Sequence, residues 1–120
     1  LFYKINGSAK SLRKIADVMS SNSMKLLDES IIGNIFKYTT LEQEMPKLTT
    51  VDELREYKVP TLVITGTEDV FFPGNKISQK AEGLLGDRLE LKQYQMGHFP
   101  STAHLEKIDT DIKGFLKKNY

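Results

Sequence analysis

Two residues of this sequence have the types and positions needed for acid–base chemistry. Asp69 follows the apolar run Thr61–Thr65, and His98 follows a second extended run, Leu89–Gln95. If both runs are parallel strands, the two side chains emerge at the same edge of one sheet. A carboxylate bonded to one imidazole nitrogen fixes the tautomer and leaves the other nitrogen as a base. The spacing therefore predicts an Asp–His pair, with Glu68 as a distant second choice for the acid.

Structural roles compete with this interpretation. An acid that follows a strand often caps its own turn through backbone hydrogen bonds, and a single loop histidine is often incidental. Both alternatives stay open for Asp69 and His98 at the level of the sequence. His104 lies six residues after His98, a separation that does not align the two on one helix face.

The elements that must position the pair form a strand–helix–strand–helix succession. Thr61–Thr65 has no polar alternation, which favours a strand covered on both faces by helices. A helix is predicted over about residues 75–85 with Gly86 as its stop, and Leu89–Gln95 is predicted as the second strand. The last helix is expected over about residues 103–118. Its solvated face would carry Glu106, Asp109 and Asp111.

The first half of the chain is predicted to be helical. One helix begins near Ser8. Either Ser8 or Ser11 could cap it, and the serine-rich cluster at residues 20–23 ends it. Thr50 and Glu53 have the spacing of a capping box and predict a short helix through Glu56. The second helix has one wide apolar stripe that must be buried against something, formed by Leu27, Ile31, Ile32, Ile35 and Phe36.

Composition excludes several classes of protein. With 39% hydrophobic and 28% charged residues and a net charge of +1, the 120-residue chain is expected to fold without binding nucleic acid. The chain has no cysteine, so disulfides and thiolate metal sites within it are excluded. No apolar run reaches membrane-spanning length, and no phosphate or dinucleotide fingerprint is present. We expect no metal and no cofactor, and we expect a cytoplasmic protein, although composition does not fix the compartment.

Two stretches carry a resemblance to a known family. VPTLVITGTEDVFFPG and GHFPSTAHLEKIDTDIKGFL resemble the C-terminal portion of α/β-hydrolases over residues 57–120. In that family, a strand of the first kind precedes the loop with the triad acid, and a glycine–histidine pair begins the loop with the triad base. The resemblance implies that Asp69 is the acid and that Gly97-His98 supplies the base. Pro73 matches a proline that follows the acid in the family.

The resemblance also implies a fold and a division of the chain. The fold class expected is α/β, a partial α/β-hydrolase fold with two parallel strands, flanking helices and an N-terminal helical lid segment. Residues 1–50 would form the lid, and residues 51–120 the C-terminal part of the hydrolase core. Two such strands do not make a stable buried sheet by themselves. The expected partners are therefore the remaining hydrolase core or a second copy of the chain.

The sequence departs from the family at the nucleophile. It has no G-x-S-x-G elbow, and Gly7-Ser8, Ser78 and Ser101 stand in the wrong contexts. Because the chain begins at Leu1 rather than Met, we expect a fragment whose nucleophile, serine or aspartate, lies upstream. Such a fragment would supply acid and base and would be inactive alone. The parent would be an esterase- or lipase-like hydrolase with a catalytic triad.

The residues around the pair suggest the substrate class. Phe71, Phe72 and Phe99 flank the predicted acid and base. They either pack the edge of the sheet or wall a pocket for a small apolar or acyl substrate. Two other functions remain open from the sequence: a non-catalytic ligand-binding member of the same fold, and a small α/β interaction module.

Overall fold

The structure, a computed structural model, describes residues 7–40 and 47–120 of the chain. These residues form a small mixed α/β arrangement, as the strand and helix patterns predict. Its elements in chain order are α1 (Ala9–Ser20), α2 (Leu26–Tyr38), β1 (Thr61–Gly66), α3 (Gly74–Leu85), a 3₁₀ turn (Gly86–Arg88), β2 (Leu89–Tyr94) and α4 (Thr102–Asn119).

Strands β1 and β2 pair in parallel, with Thr61 opposite Leu89 and Gly66 opposite Tyr94. The predicted strand pair is therefore confirmed, and α3 connects the end of one strand to the start of the next. Helix α3 ends where the sequence places its stop. Gly86 has a φ of 54°, a left-handed value that glycine adopts without strain, and its N–H donates to the Glu82 carbonyl.

The faces of this unit are only partly covered. The first four residues of β1 are half-buried, so the prediction of a strand covered on both faces is wrong for the described residues. Phe115 of α4 is buried, whereas Leu105, Ile112 and Leu116 of the same helix are 52%, 40% and 49% exposed. The radius of gyration, 17.1 Å, exceeds the value of about 14 Å expected for a compact domain of this length.

Helices α1 and α2 pack against each other around a small core. Ser8 caps α1, because its hydroxyl accepts a hydrogen bond from the Ser11 N–H at 3.2 Å. Arg13 of α1 forms an ion pair with Glu29 of α2. The core of this helical pair consists of Ala16, Met19, Met24 and Ile32, with Ile15, Phe36 and Phe99 packed against it.

The wide apolar stripe predicted for α2 is covered along only part of its width. Ile32 is buried and Phe36 is half-buried, but Ile31 and Ile35 are 51% and 46% exposed. The side chain of Leu27 lies outside the described residues. The expectation that the whole stripe is buried is therefore wrong for Ile31 and Ile35, because α1 covers a narrower face of α2.

The prediction of a short helix from Thr50 through Glu56 is also wrong. The capping box forms, since the Glu53 carboxylate accepts the Thr50 N–H at 2.8 Å and the Glu53 N–H donates to the Thr50 hydroxyl at 3.3 Å. Residues 51–56 nevertheless form successive turns with hydrogen bonds between residues three apart. Val51 is 61% exposed, so no apolar face is buried to repay the cost of starting a helix.

Candidate active site

Asp69 lies in the acid loop, residues 67–73, which follows the carboxyl end of β1. One carboxylate oxygen, Oδ1, accepts the backbone N–H groups of Phe71 and Phe72 at 2.8 and 3.0 Å. These bonds form an Asx-type turn that fixes the side chain from within its own loop. The turn-capping role that competes with the catalytic interpretation is thus present, and it occupies only one of the two oxygens.

His98 lies in the base loop, residues 95–100, after the carboxyl end of β2. Its Nδ1 is 3.0 Å from Oδ2 of Asp69, the oxygen that the turn leaves available. The contact expected between the two loops is therefore present. Because a carboxylate only accepts hydrogen bonds, Nδ1 carries the proton and Nε2 of the neutral ring holds the lone pair. Within residues 7–40 and 47–120, Nε2 has no hydrogen-bond partner.

The surroundings of Asp69 favour its charged form. The side chain is only 10% exposed, and this burial alone would raise the pKa. The hydrogen bonds from the Phe72 N–H, from His98 and from the Phe71 N–H together outweigh burial, and the pKa of Asp69 lies below its usual value. The carboxylate is therefore ionised at neutral pH, as a residue that orients an imidazole must be.

Three phenylalanine rings surround the His98 ring. The ring centroids of Phe71 and Phe99 each lie 5.1 Å from that of His98 in edge-to-face geometry, and the Phe72 centroid lies at 5.6 Å. Their packing restricts how the imidazole can tilt. The packing role that the sequence suggests is thus present for all three rings.

One cavity borders the pair, and a second lies beside Phe99. One, of about 330 Å³, is bordered by Asp69, His98 and Phe72 together with Ile64, Thr65, Gly66, Ile77, Met96 and Gly97. The other, of about 290 Å³, lies between the helical pair and the start of α4, and Phe99 lines it beside Met24 and Leu105. Phe71 lines neither of these cavities.

The base loop is held by the end of α1, a contact that sequence reasoning missed. The Phe99 N–H donates to the Met19 carbonyl at 3.2 Å, and the Ser23 hydroxyl lies 3.4 Å from the Phe99 carbonyl oxygen. A Cβ on Gly97 would lie 2.6 Å from the Met19 carbonyl oxygen. The glycine before the histidine is thus required by a close backbone approach, and its presence in the sequence is the one signal that could have indicated it.

Other polar residues near the pair have different partners. The Ser21 side chain and a hydrogen bond from the Gln95 amide lower the pKa of the Glu68 carboxyl, which does not contact His98. The ring of His104 shares a hydrogen bond with the Ser101 hydroxyl at 2.9 Å. Of the two neighbouring carboxylates, that of Asp69 is the one in contact with His98.

Asp111 of α4 was expected on a solvated face, and this prediction is wrong. Its carboxylate accepts a hydrogen bond from the Tyr94 hydroxyl and lies 3.6 Å from the Lys92 ammonium. The hydrogen bond to Asp111 raises the pKa of Tyr94. Asp111 thus ties α4 to the end of β2, just before the base loop.

The serines weighed as nucleophiles have structural roles. Ser8 caps α1, and Ser101 caps α4 by accepting the His104 N–H at 3.3 Å. The Ser78 hydroxyl is buried, where it donates to the Gly74 carbonyl and accepts from the Gln93 amide. Across the described parts of the chain, no hydroxyl is bonded to His98, so the Asp69–His98 pair has no hydroxyl nucleophile beside it there.

The described residues offer neither a cluster of metal ligands nor a membrane-spanning helix. No group of three or more histidine, aspartate or glutamate side chains is placed to hold a metal ion in the described ranges. None of the helices that the structure describes has the length and hydropathy to cross a membrane.

Comparison with known proteins adds no family to this picture. No protein-family model matches the chain, and neither curated proteins nor solved structures give a significant match. The hydrolase resemblance therefore depends on the two motifs and on the geometry of the pair they contain.

Proposed function

We propose that Asp69 and His98 are the acid and base of an α/β-hydrolase that cleaves carboxylic esters or related acyl groups. The observation that supports this proposal is the 3.0 Å contact between Nδ1 of His98 and Oδ2 of Asp69. It occurs where two parallel strands end, the position at which α/β proteins place their catalytic groups. In this proposal residues 1–50 act as a lid and residues 51–120 as part of the core.

The pair supports the following chemistry. Nε2 of His98 takes the proton of a serine nucleophile supplied from outside the described residues. The nucleophile bonds to the carbonyl carbon, and the imidazolium returns the proton to the leaving alcohol as the ester bond breaks. Water then cleaves the acyl-enzyme by the same route. Asp69 keeps the proton of His98 on Nδ1 and stabilises the imidazolium without itself becoming protonated.

The cavity beside the pair supports a small apolar or acyl substrate. Its volume of about 330 Å³ falls at the lower end of the range of small-molecule sites. Apolar side chains of Ile64, Phe72, Ile77 and Met96 line it together with three polar ones, those of Thr65, Asp69 and His98. The proposal includes no metal, no cofactor and no nucleic-acid partner, and it places the protein in the cytoplasm.

The partly exposed strands and helices favour a partner that covers this unit. A parallel pair whose first strand is only half-buried is not a stable sheet by itself. The remaining hydrolase core is the partner that the proposal requires, because the nucleophile and the oxyanion donors must come from it. A second copy of the chain is the alternative partner.

The test is an ester-hydrolysis assay of the natural gene product that contains these residues. A panel of short- and long-chain p-nitrophenyl esters is compared between the parent, His98→Ala and His104→Gln. We expect His98→Ala to lower kcat/KM by roughly 10²- to 10⁴-fold, the usual contribution of a general base. His104→Gln, which changes the other histidine and leaves the pair intact, should be close to the parent. Undiminished turnover by His98→Ala would exclude the proposed mechanism.

A ligand-binding protein of the same fold is the second candidate. The cavity and the rings around His98 are complete whether or not a nucleophile is present. Saturable binding of a carboxylate product such as butyrate, in a parent that turns over none of the esters, would favour this receptor function over the hydrolase.

A further inference from the structure

We propose that Met19 and the serine turn that follows it, residues 20–23 at the junction of α1 and α2, position His98 against Asp69, so that docking of the helical pair controls whether the base is aligned. This inference deepens the proposed function and rests on it, because an aligned base has a consequence only where His98 acts as one. The serine turn is a positioning element in this proposal, since it does not contact the substrate cavity at His98.

Contacts between the two segments are made largely by backbone. Phe99, the residue after His98, donates its N–H to the Met19 carbonyl at the end of α1 at 3.2 Å. Gly97, the residue before His98, lies so close that an added Cβ would be 2.6 Å from the Met19 carbonyl oxygen and 3.0 Å from Cα of Ser20. The end of α1 thus fixes the base on both sides along the chain. His98 has little freedom to move unless this contact opens.

The serine turn is itself internally fixed. Ser20 is 1% exposed, and its hydroxyl donates to the Ala16 carbonyl at 2.7 Å and accepts the Met24 N–H at 3.0 Å. Ser21 and Asn22 have φ values of 50° and 66°, in the left-handed region that residues other than glycine seldom adopt. The Ser23 hydroxyl donates to the Ser20 carbonyl at 2.7 Å and lies 3.4 Å from the Phe99 carbonyl oxygen. A turn held in this way offers a rigid surface for the base loop.

The same turn also reaches the acid loop. The Ser21 side chain helps to lower the pKa of the Glu68 carboxyl, the neighbour of Asp69. Glu68 in turn donates its N–H to the Met96 carbonyl at 3.1 Å and accepts the Gln95 amide at 3.0 Å. The serine turn therefore contacts both loops on the outer side of the Asp69–His98 pair. Withdrawal of the helical pair would remove support from both loops, and the base would lose its alignment.

The experiment measures the tautomer of His98 directly, without an activity assay. The natural gene product that contains these residues is labelled with ¹⁵N-histidine, and two-bond ¹H–¹⁵N spectra are recorded at a pH where imidazole is neutral. His98→Gln and His104→Gln each remove one ring and thereby assign the signals of the two histidines in this sequence. The parent chain should show His98 mainly as the Nδ1–H form, because Asp69 accepts that proton.

Two variants displace the turn from the base loop, and each has a matched control. Gly97→Ala inserts a methyl group at the backbone contact, whereas Gly83→Ala adds one on α3 where no atom lies within 4 Å. Ser23→Ala removes the hydroxyl between Ser20 and Phe99, whereas Ser30→Ala removes one from an exposed position on α2. We expect Nδ1–H to fall from the major to the minor form in Gly97→Ala, to decrease less in Ser23→Ala, and to be unchanged in both controls.

Either folded variant that keeps the parent's tautomer ratio would overturn the proposal. If Gly97→Ala does not fold, the tautomer ratio of His98 in Ser23→Ala alone decides whether the proposal holds. The result is separable from the hydrolase proposal. Full esterase activity in His98→Ala would remove the proposed function and leave the tautomer shift as a measured property of the pair. Loss of that activity, with an unshifted tautomer in the folded variants, would remove only the positioning role.

Discussion

The acid loop and the base loop place their functional residues by different means. Asp69 is fixed by its own loop, because Phe71 and Phe72 donate backbone N–H groups to its carboxylate. His98 makes a side-chain hydrogen bond to the other loop, and its backbone neighbours are held by α1. The acid is thus positioned by residues two and three places away in sequence. The base is positioned by a segment about 80 places away.

This difference indicates which of the two side chains, Asp69 or His98, can be displaced more easily. A locally bonded carboxylate keeps its place for as long as its turn exists. An imidazole whose loop is held by tertiary contacts loses its place whenever those contacts open, and local opening costs less free energy than global unfolding. In this account, control over the pair is therefore exercised on the base. The following predictions test that asymmetry.

The largest effect should come from Gly66→Ala, at the end of β1, where the strand lies directly against the base loop. An added Cβ would lie 2.3 Å from the Met96 carbonyl oxygen, so either β1 or the base loop must shift. We expect a loss of about 3 kcal/mol in the free energy of unfolding, the range of a severely overpacked site. Urea denaturation measures it. Gly83→Ala is the control and should be neutral or stabilising, because its methyl group meets no atom and alanine favours helix.

A smaller effect is expected from Asp69→Ala, which removes the internal bonds of the acid loop. Loss of the two acceptor contacts should destabilise the chain by about 1–2 kcal/mol, as for loss of a cap. Asp69→Asn is the matched comparison, since its amide oxygen still accepts from Phe71 and Phe72. If the acid loop is locally fixed, Asp69→Asn should lose less stability than Asp69→Ala. Equal losses in urea denaturation would contradict the local account.

Ser101→Ala tests the downstream end of the base loop. The Ser101 hydroxyl accepts the His104 N–H and shares a hydrogen bond with the His104 ring, so the substitution removes the N-cap of α4. We expect a loss of about 1 kcal/mol. Ser30→Ala, at an exposed site on α2, should change the free energy of unfolding little. A stability equal to the parent in Ser101→Ala would show that α4 does not anchor the loop.

The smallest effect should appear in the pH dependence of stability. The pKa of Asp69 is lowered in the folded chain, so its contribution is fully present above the usual aspartate pKa of about 3.9. As pH falls through the lower folded value, the unfolded state binds the proton first and that contribution is lost. The stability difference between the parent and Asp69→Asn should therefore shrink on acidification over this window. A difference independent of pH would contradict the lowered pKa.

Patterns carried by neighbouring residues were sufficient to predict most of the strand–helix–strand unit. The unbroken apolar run before Gly66, the left-handed stop at Gly86 and the periodicity of α4 each depend on residues close in sequence. The Asp69–His98 contact followed from topology, because parallel strands bring their following loops to one edge.

Features that depend on distant neighbours were not predicted. The docking of Met19 against Phe99 needs the orientation of α1 relative to the sheet, which no local pattern encodes. The exposure of Ile31 and the half-burial of β1 depend on what else is present to cover them. The capping box at Thr50 was recognised correctly. The absence of a helix after this capping box was not predicted, because the free energy that would extend such a helix must come from tertiary packing.

The most direct test of the central claim is the protonation pattern of the His98 ring in the parent chain and in Asp69→Asn. The account predicts that neutral His98 carries its proton on Nδ1 in the parent, as observed by two-bond ¹H–¹⁵N NMR. It also predicts that this preference is lost in Asp69→Asn, whose amide no longer supplies a charged acceptor. A parent ring protonated mainly on Nε2 would contradict the claim that Asp69 prepares His98 to act as a base.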